Sequence, residues 1–545
     1  MYDDLPNLRI EASTVGDKLL ATADRYPDQP ALIFPDRRIT FAGLVEASYR
    51  RARGLHALGV RPGDHVGVLM PNCMEYMEFV YGAALLGAVS VLMNARYKPP
   101  ELTYVVHNAD LKVIITTDLI ADHANFGELL HGAFPELDPL GPTAAPGPLS
   151  LTAAPALRHL VMLGSTTPAG FISGTAFDKL SDTPAPIDAL RAQVRIADPA
   201  IMMYTSGTTA NPKGCPLSHE ILVRNGINMN RQRYFLTQTD VFWAPLPMFH
   251  MAAILPAMAC LDAGAALLTA THFDADVALA MLESERVTIA FPAFPTITNE
   301  IISHPRFSTA DLSAIRRINN VAPVDMLRRF QTAFPQAVQT GAYGMTEVGG
   351  VISFNHPAET LDQRLDACGT PFPGVALRVV DIDTLEDLPT NTRGELWIKG
   401  YCVFSGYYKS PEKNTEAFHD GWFRTGDLCS LDDRGAIRFH GRIKDMLKVG
   451  GENVAAIEIE SHLAKHPAVK MAQVIGVPDP RLEEVPVAFV ELLPGKSATG
   501  DELIAHCRGQ LASFKVPRSV HFVMEWPMSS TKVQKFRLRE MLAKA

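Results

Sequence analysis

The segment Tyr204-Thr-Ser-Gly-Thr-Thr-Ala-Asn-Pro-Lys-Gly214 gathers groups that bind phosphate. The hydroxyls of Thr205, Ser206, Thr208 and Thr209 can donate to phosphate oxygens. Gly207 lets backbone N–H groups converge on one anion, and Lys213 adds a countercharge. A strand-like run, Ile201-Met-Met-Tyr204, precedes the segment, and Ser218 is placed to cap a helix after it. The spacing is not that of a Walker loop, because G-x-x-x-x-G-K-[ST] does not occur. Read alone, the run is a flexible polar loop, as Ser/Thr/Gly runs usually are.

Further groups with chemical potential follow in order. Ala342-Tyr-Gly-Met-Thr-Glu347 offers a hard carboxylate oxygen suited to magnesium beside a triphosphate, on a turn that Gly344 permits. By itself a Thr-Glu pair also opens ordinary helices. Gly421-Trp-Phe-Arg-Thr-Gly-Asp427 ends in a carboxylate at a strand turn. Gly441-Arg-Ile-Lys-Asp-Met-Leu-Lys-Val-Gly-Gly-Glu-Asn453 is basic and closes on Gly450 and Gly451, which allow close backbone approach to a ligand. Pro527-Met-Ser-Ser-Thr-Lys-Val-Gln-Lys-Phe536 carries Lys532; an isolated lysine there would normally sit on the surface. His250, in Pro247-Met-Phe-His, reads either as a packed core histidine or as a site residue. No metal-ligand cluster and no Ser-His-Asp or Cys-His arrangement is evident.

Positioning these groups requires an extended scaffold. A chain of 545 residues exceeds one core, so at least two domains are expected. Strand-like runs at 65–70, 113–116 and 160–163 alternate with helical patterns such as 74–86, which predicts an α/β fold with mainly parallel sheets. Residues 137–156, rich in Pro, Ala and Gly, read as a surface loop. Beyond about Leu385, Glu395-Leu-Trp-Ile-Lys and Ala436-Ile-Arg-Phe-His look antiparallel, the second entered through Asp432-Asp-Arg-Gly435. A large domain over 1–443 and a small α+β domain over 444–545 are expected, without internal repeats.

Composition narrows the function classes. A net charge of −9 argues against an electrostatic nucleic-acid binder. The seven cysteines are scattered and lack C-x-x-C, which disfavours a disulfide framework or a zinc site. The acidic start MYDDLPNLRIEAS has no apolar signal region. The apolar stretch 251–268 is interrupted by Pro256, Asp262 and Gly264, so it reads as buried core rather than a membrane span. A cytoplasmic enzyme is the expectation, with room for a homo-oligomer.

Taken together and in this order, the motifs resemble those of the adenylate-forming superfamily (acyl-CoA synthetases, luciferases, peptide-synthetase adenylation domains) along nearly the whole chain. The resemblance is to an acyl-CoA synthetase, with departures at Ala210 and Thr531, where that family usually has Gly. It implies that Thr205, Ser206, Gly207, Thr208, Thr209 and Lys213 hold the ATP phosphates. Tyr343 would lie along the adenine, with Gly344 and Met345 beside it, and Thr346 would face the α-phosphate. Glu347 would carry Mg²⁺, Asp427 the ribose hydroxyls, and Arg442 the ribose or phosphate. Lys532 would serve adenylation, and Lys444 would be the hinge about which the small domain turns. Gly450, Gly451, Phe514 and Lys515 would meet coenzyme A.

The acyl pocket would be lined by His250, Met251, Val321, Ala322, Pro323, Gly341 and Ala342, with Asn319-Asn320 standing where the family more often has glycines. The implied reaction joins a carboxylic acid to ATP as an acyl-adenylate, releases pyrophosphate, and passes the acyl group to coenzyme A. Fatty, aryl and alicyclic acids stay open. So do an acyl-AMP ligase that loads a carrier protein, a luciferase-like oxygenase and a non-catalytic adenylate-binding relative.

Overall fold

A computed structural model describes residues 11–140, 147–205, 211–322, 324–449, 452–528 and 533–544. The chain divides into two compact units. The first comprises most of the chain up to Val375 together with Lys399–His419; the second is built mainly from Ala376–Ile398 and Asp420–Ala545.

Two seven-stranded sheets form the first unit. One runs in the order Phe171–Ser173, His159–Leu163, Leu111–Thr117, His65–Leu69, Val89–Leu92, Pro199–Thr205, Lys213–Ser218. The other runs Val338–Thr340, Arg317–Asn320, Ile289–Ala293, Val241–Trp243, Ala266–Leu268, Pro30–Ile33, Arg38–Thr40. Each is parallel throughout except for its last strand, which pairs antiparallel. The architecture is therefore used twice, a repetition that the unrelated side chains conceal.

The expected alternation holds. The helix Met74–Leu86 coincides with the apolar run, is buried along almost its whole length, and stops where Gly87 turns left-handed at φ 79°. The stretch 251–268 is the helix Met251–Ala263 followed by the strand Ala266–Leu268, both buried as a core segment should be. No helix among the described residues is long and apolar enough to cross a membrane.

Between the phosphate loop and the helix expected after it, Lys213–Ser218 returns as an antiparallel strand, with Thr205 opposite Lys213. Ser218 then caps the helix His219–Met229, its hydroxyl accepting the Ile221 N–H at 3.3 Å. Gly214 and Pro216 obscure the strand signal.

In the second unit the strand Trp422–Leu431 pairs antiparallel with residues of Gly394–Gly400 and with Ile437–Arg442. Asp432 accepts the Arg434 and Ala436 N–H groups and so fixes the turn between them, with Gly435 at φ 77°. A second sheet contains Glu452–Ala455, Met446–Val449, Glu483–Leu492, Val469–Asp479 and Ser519–Phe522. The helices Ala456–Leu463 and Gly500–Cys507 contribute Ile459, Leu463, Leu503 and Cys507 to its core.

Candidate active site

In the first unit the hairpin Pro199–Thr205/Lys213–Ser218 brings the two ends of the phosphate loop together. Ser206, Gly207, Thr208 and Thr209 lie outside the described residues, as does Ala210. At the base, the Lys213 ammonium stands 4.0 Å from the centroid of the Tyr407 ring. The Tyr407 hydroxyl donates to Glu347 Oε1 at 2.9 Å. Two backbone bonds hold this bridge: Tyr408 N–H to the Gly214 carbonyl at 2.8 Å, and Phe404 N–H to the Glu347 carbonyl at 2.9 Å. Lys213 and Glu347, far apart in sequence, are thus linked through one aromatic side chain.

Tyr407 was not among the residues singled out from sequence. Its only signal is an aromatic pair after Gly406, between the Glu347 and Asp427 motifs. Beneath the bridge Cys215 is fully buried; burial pushes its thiol well above its ordinary pKa, Glu347 adds to that and Lys213 opposes it. This thiol is not a nucleophile at neutral pH.

The Glu347 turn, Thr346–Val348, is clamped from the helix His219–Met229. The buried Asn225 amide donates to the carbonyls of Val348 at 2.9 Å and Gly349 at 3.1 Å, while its oxygen accepts from Tyr401 at 2.7 Å. The turn expected at Gly344 takes its left-handed residues at Gly349 (φ 69°) and Gly350 (φ 97°) instead. Gly344 is required for a different reason: a Cβ there would lie 2.0 Å from the Gly350 carbonyl oxygen. Thr346 and Met345 are partly buried and Tyr343 is buried on the short strand Ala342–Tyr343.

The residues expected around the acyl group fall on three segments of this unit. His250 is the residue immediately before the helix Met251–Ala263, and Met251 is buried. Asn72, in the loop after the strand His65–Leu69, fixes the preceding turn by donating to the Leu246 carbonyl and accepting the Met248 N–H at 2.7 Å. Gly341 donates its N–H to Asn355 Oδ1 at 2.7 Å, and Ala342 is buried. Met251 also faces Gly350, where a Cβ would lie 3.0 Å from Met251 Cβ. Val321 is half exposed and Ala322 packs on a small cluster of Leu327, Phe330 and Leu365. Pro323 lies outside the described residues.

In the second unit Asp427 is buried and stands directly opposite Arg442 in the ladder, with Arg442 Nε 2.7 Å from Asp427 Oδ1. The Gly426 turn before it is held by the buried Glu395, whose carboxylate accepts from Gly426 N–H, Trp397 Nε1 and the Arg424 guanidinium. Lys444 follows in a single helical turn, Ile443–Asp445; burial, with help from Arg442, holds its ammonium pKa below the ordinary lysine value, against Asp445. Phe514 packs on the core of the small sheet and Lys515 pairs with Glu458. Burial raises the Glu458 carboxyl, but hydrogen bonds from Lys515 and Arg393 outweigh it and bring its pKa below the ordinary range. Lys532, Gly450 and Gly451 lie outside the described residues, as does Thr531.

Residues 19–408 match the family described as AMP-binding enzyme, and residues 458–532 match the AMP-binding enzyme C-terminal domain. The chain belongs to the AMP-binding enzyme family. Among its relatives in that family is the putative acyl-CoA synthetase YngI of Bacillus subtilis (strain 168), 34% identical over 538 residues that cover 97% of each chain. Another is the medium-chain acyl-CoA ligase ACSF2, mitochondrial, of Mus musculus, 32% identical over 544 residues, covering 97% of this chain and 88% of that one. Among solved structures, the anthranilate CoA ligase AuaEII in complex with anthranoyl-AMP superposes with a TM-score of 0.84 at 27% identity, covering 98% and 99% of the two chains. ATP-bound MatB from Rhodopseudomonas palustris gives 0.78 at 26% identity, covering 96% and 98%. The AMP-binding fold expected from the motifs is thus the fold observed.

Proposed function

We propose that this AMP-binding enzyme is an ATP-dependent carboxylate–CoA ligase that forms an acyl-adenylate and pyrophosphate, then acyl-CoA and AMP. Full-length similarity to acyl-CoA synthetases and ligases supports the overall reaction. The observation that carries the assignment of residues is the bridge from Lys213 through Tyr407 to Glu347. It sets a cation over the ring and a hard carboxylate at the hydroxyl of one rigid side chain, at the base of a hairpin whose loop bears the phosphate-binding hydroxyls.

A carboxylate is a poor acyl donor until its oxygen is made a leaving group. In the first half-reaction the acid's carboxylate attacks the α-phosphorus of ATP and expels pyrophosphate, a step governed by positioning and charge stabilisation. Lys213 meets phosphate charge, and Thr346 orients the α-phosphate. Asp427 and Arg442 hold the ribose, and Lys532 spans the α-phosphate and acyl oxygens. Glu347 fits magnesium: it is a hard oxygen ligand with Oε1 fixed by Tyr407, and magnesium is usually held by one or two carboxylates together with substrate phosphates. When bound there, the ion supplies positive charge to the phosphate oxygens.

In the second half-reaction the thiol of coenzyme A attacks the acyl carbon and AMP departs. We assign residues 444–545 as the mobile domain and Lys444 as its pivot, so that Lys532 and the Gly450-Gly451 face serve the two steps in turn. Phe514 and Lys515 are assigned to coenzyme A, which then competes with Glu458 for the Lys515 ammonium. A cytoplasmic location is supported by the free cysteines, six of which are buried.

The test is ATP–pyrophosphate exchange driven by a panel of fatty, aryl and alicyclic acids, with wild type beside Lys532→Ala. Acid-dependent exchange in wild type and its loss in the variant are expected. ATP binding without exchange for any acid would point to a non-catalytic adenylate-binding relative.

A further inference from the structure

At the carboxyl ends of the parallel strands Arg317–Asn320 and Val338–Thr340, a chain of buried amides is oriented by its own hydrogen bonds. Thr298 Oγ1 donates to Asn320 Oδ1 at 2.6 Å, and Asn320 Nδ2 donates to Gln339 Oε1 at 3.1 Å. Gln339 Nε2 donates to the Thr340 carbonyl at 3.0 Å. The same carbonyl accepts Asn319 Nδ2, also at 3.0 Å. A carbonyl can only accept, so the Asn319 amide is fixed with its nitrogen on Thr340 and cannot be flipped without setting oxygen against oxygen.

That leaves Asn319 Oδ1 as an acceptor with no donor among the described residues, in a side chain that is 0% exposed. Buried acceptors are nearly always paired, so an orphan held this firmly calls for a partner beyond the described residues. Strand alternation puts Asn319 on the sheet face opposite Ile318, which packs into an apolar core. Opposite Asn319 the adjoining strand loses its register between Ala290 and Ala293, and within that irregular stretch the Phe291 ring faces Phe354 at 6.3 Å. Across from Asn319 in register is Thr340, which leads directly into Gly341 and Ala342.

Backbone strain marks the same end of the sheet. Ala293, paired in register with Asn320, has φ 54°, in the left-handed region disfavoured for alanine. A tight turn from Phe294 N–H to the Pro292 carbonyl and a bond from Val321 N–H to the Ala293 carbonyl hold it there. Orphan acceptor and strained backbone coincide where open α/β sheets bind their ligands, outside the carboxyl ends of the strands.

We propose that Asn319 is a specificity-determining residue that selects carboxylic acids bearing a hydrogen-bond donor, a hydroxyl or amino group, on the acyl skeleton. The proposal rests on the assignment of Gly341 and Ala342 to the acyl pocket and gives that pocket a substrate class. The Phe291 and Phe354 rings supply an apolar wall, and Asn319 Oδ1 accepts from the donor. A site built to pair with such a group discriminates strongly against the analogue lacking it, because the acceptor is then desolvated for nothing.

The test compares kcat/KM for thioester formation on acids matched in shape: an unsubstituted aryl or alkyl acid beside its hydroxy and amino counterparts. In wild type the best donor-bearing acid is expected to exceed its unsubstituted match by roughly 10- to 100-fold. In Asn319→Leu, nearly isosteric but without the acceptor, that ratio should fall to about one. A wild-type preference for unsubstituted acids would overturn the proposal, as would an unchanged ratio in the variant, which would make Asn319 a structural residue paired with water. Should the variant fail to fold, the wild-type ratio decides alone. Turnover without preference sinks only this proposal, whereas no thioester from any acid refutes the ligase reading beneath it.

Discussion

Tyr407 donates its hydroxyl proton to Glu347 Oε1 at 2.9 Å, and the two residues lie on segments 60 positions apart. With Lys213 over its ring, Tyr407 serves two charges with two different parts of one side chain. Tyr407→Phe removes the hydroxyl and keeps the ring. A hydrogen bond to a charged group is worth about 1.5–3 kcal/mol, so kcat/KM for ATP should fall roughly 10- to 100-fold. The loss should be larger at low magnesium. Tyr407→Leu, which also removes the ring from Lys213, should cost more than Tyr407→Phe. Pyrophosphate exchange measured across magnesium concentrations checks both, and equal activity in Tyr407→Phe and wild type would separate Tyr407 from the site.

The clamp beneath the Glu347 turn is steric as well as hydrogen-bonded. Gly344→Ala would put a methyl group 2.0 Å from the Gly350 carbonyl oxygen, so backbone must move. A loss of about 1–3 kcal/mol of stability is expected, together with loss of pyrophosphate exchange. Urea unfolding and exchange assays on the same preparation measure the two effects.

His219 links the helix His219–Met229 to the helix Val15–Arg25, its Nδ1 accepting the Val15 N–H at 3.1 Å. Burial lowers its pKa to about 4 from an ordinary 6.5, with Asp198 and Asp17 opposing. The imidazole therefore stays neutral in the folded protein while the unfolded chain takes up a proton below about 6.5. Its stabilising contribution is present above that pH and is lost as pH falls toward about 4, a change of about 3 kcal/mol. Urea unfolding at pH 7, 6 and 5 should follow that decline. His219→Asn, which keeps an acceptor for Val15 and cannot titrate, should flatten it.

Much of this architecture is legible in the sequence because the signals are local. The helix Met74–Leu86 shows as an apolar run with Gly87 at its end, and the nucleotide motifs keep their chemical groups within a few residues of one another. What stayed hidden depends on contacts between distant segments. Tyr407 gains its role only when the fold carries it to Glu347 and Lys213. Asn225 and Asn355 are ordinary polar residues until they are buried against the Val348 and Gly341 backbones. The strand Lys213–Ser218 contains Gly214 and Pro216 and owes its extension to pairing with Pro199–Thr205. Gly344, assigned to the turn by its residue type, is instead demanded by close packing, and the turn falls to Gly349 and Gly350.

The proposed pivot separates the two half-reactions. Lys444→Pro fixes φ and removes an N–H at the assigned hinge. Acid-dependent pyrophosphate exchange should persist within a few-fold of wild type while thioester formation falls by about 100-fold or more. Equal loss of both would place Lys444 in the adenylation step rather than at a hinge.

This AMP-binding enzyme joins a carboxylic acid to coenzyme A through an acyl-adenylate. The most direct measurement is mass-spectrometric detection of products from ATP, Mg²⁺, coenzyme A and a mixed panel of fatty, aryl and alicyclic acids. Acyl-CoA and AMP in equal amounts, dependent on ATP and absent with Lys532→Ala, is the predicted result. Acyl-AMP accumulating without any acyl-CoA would contradict it and move the acceptor to a carrier protein.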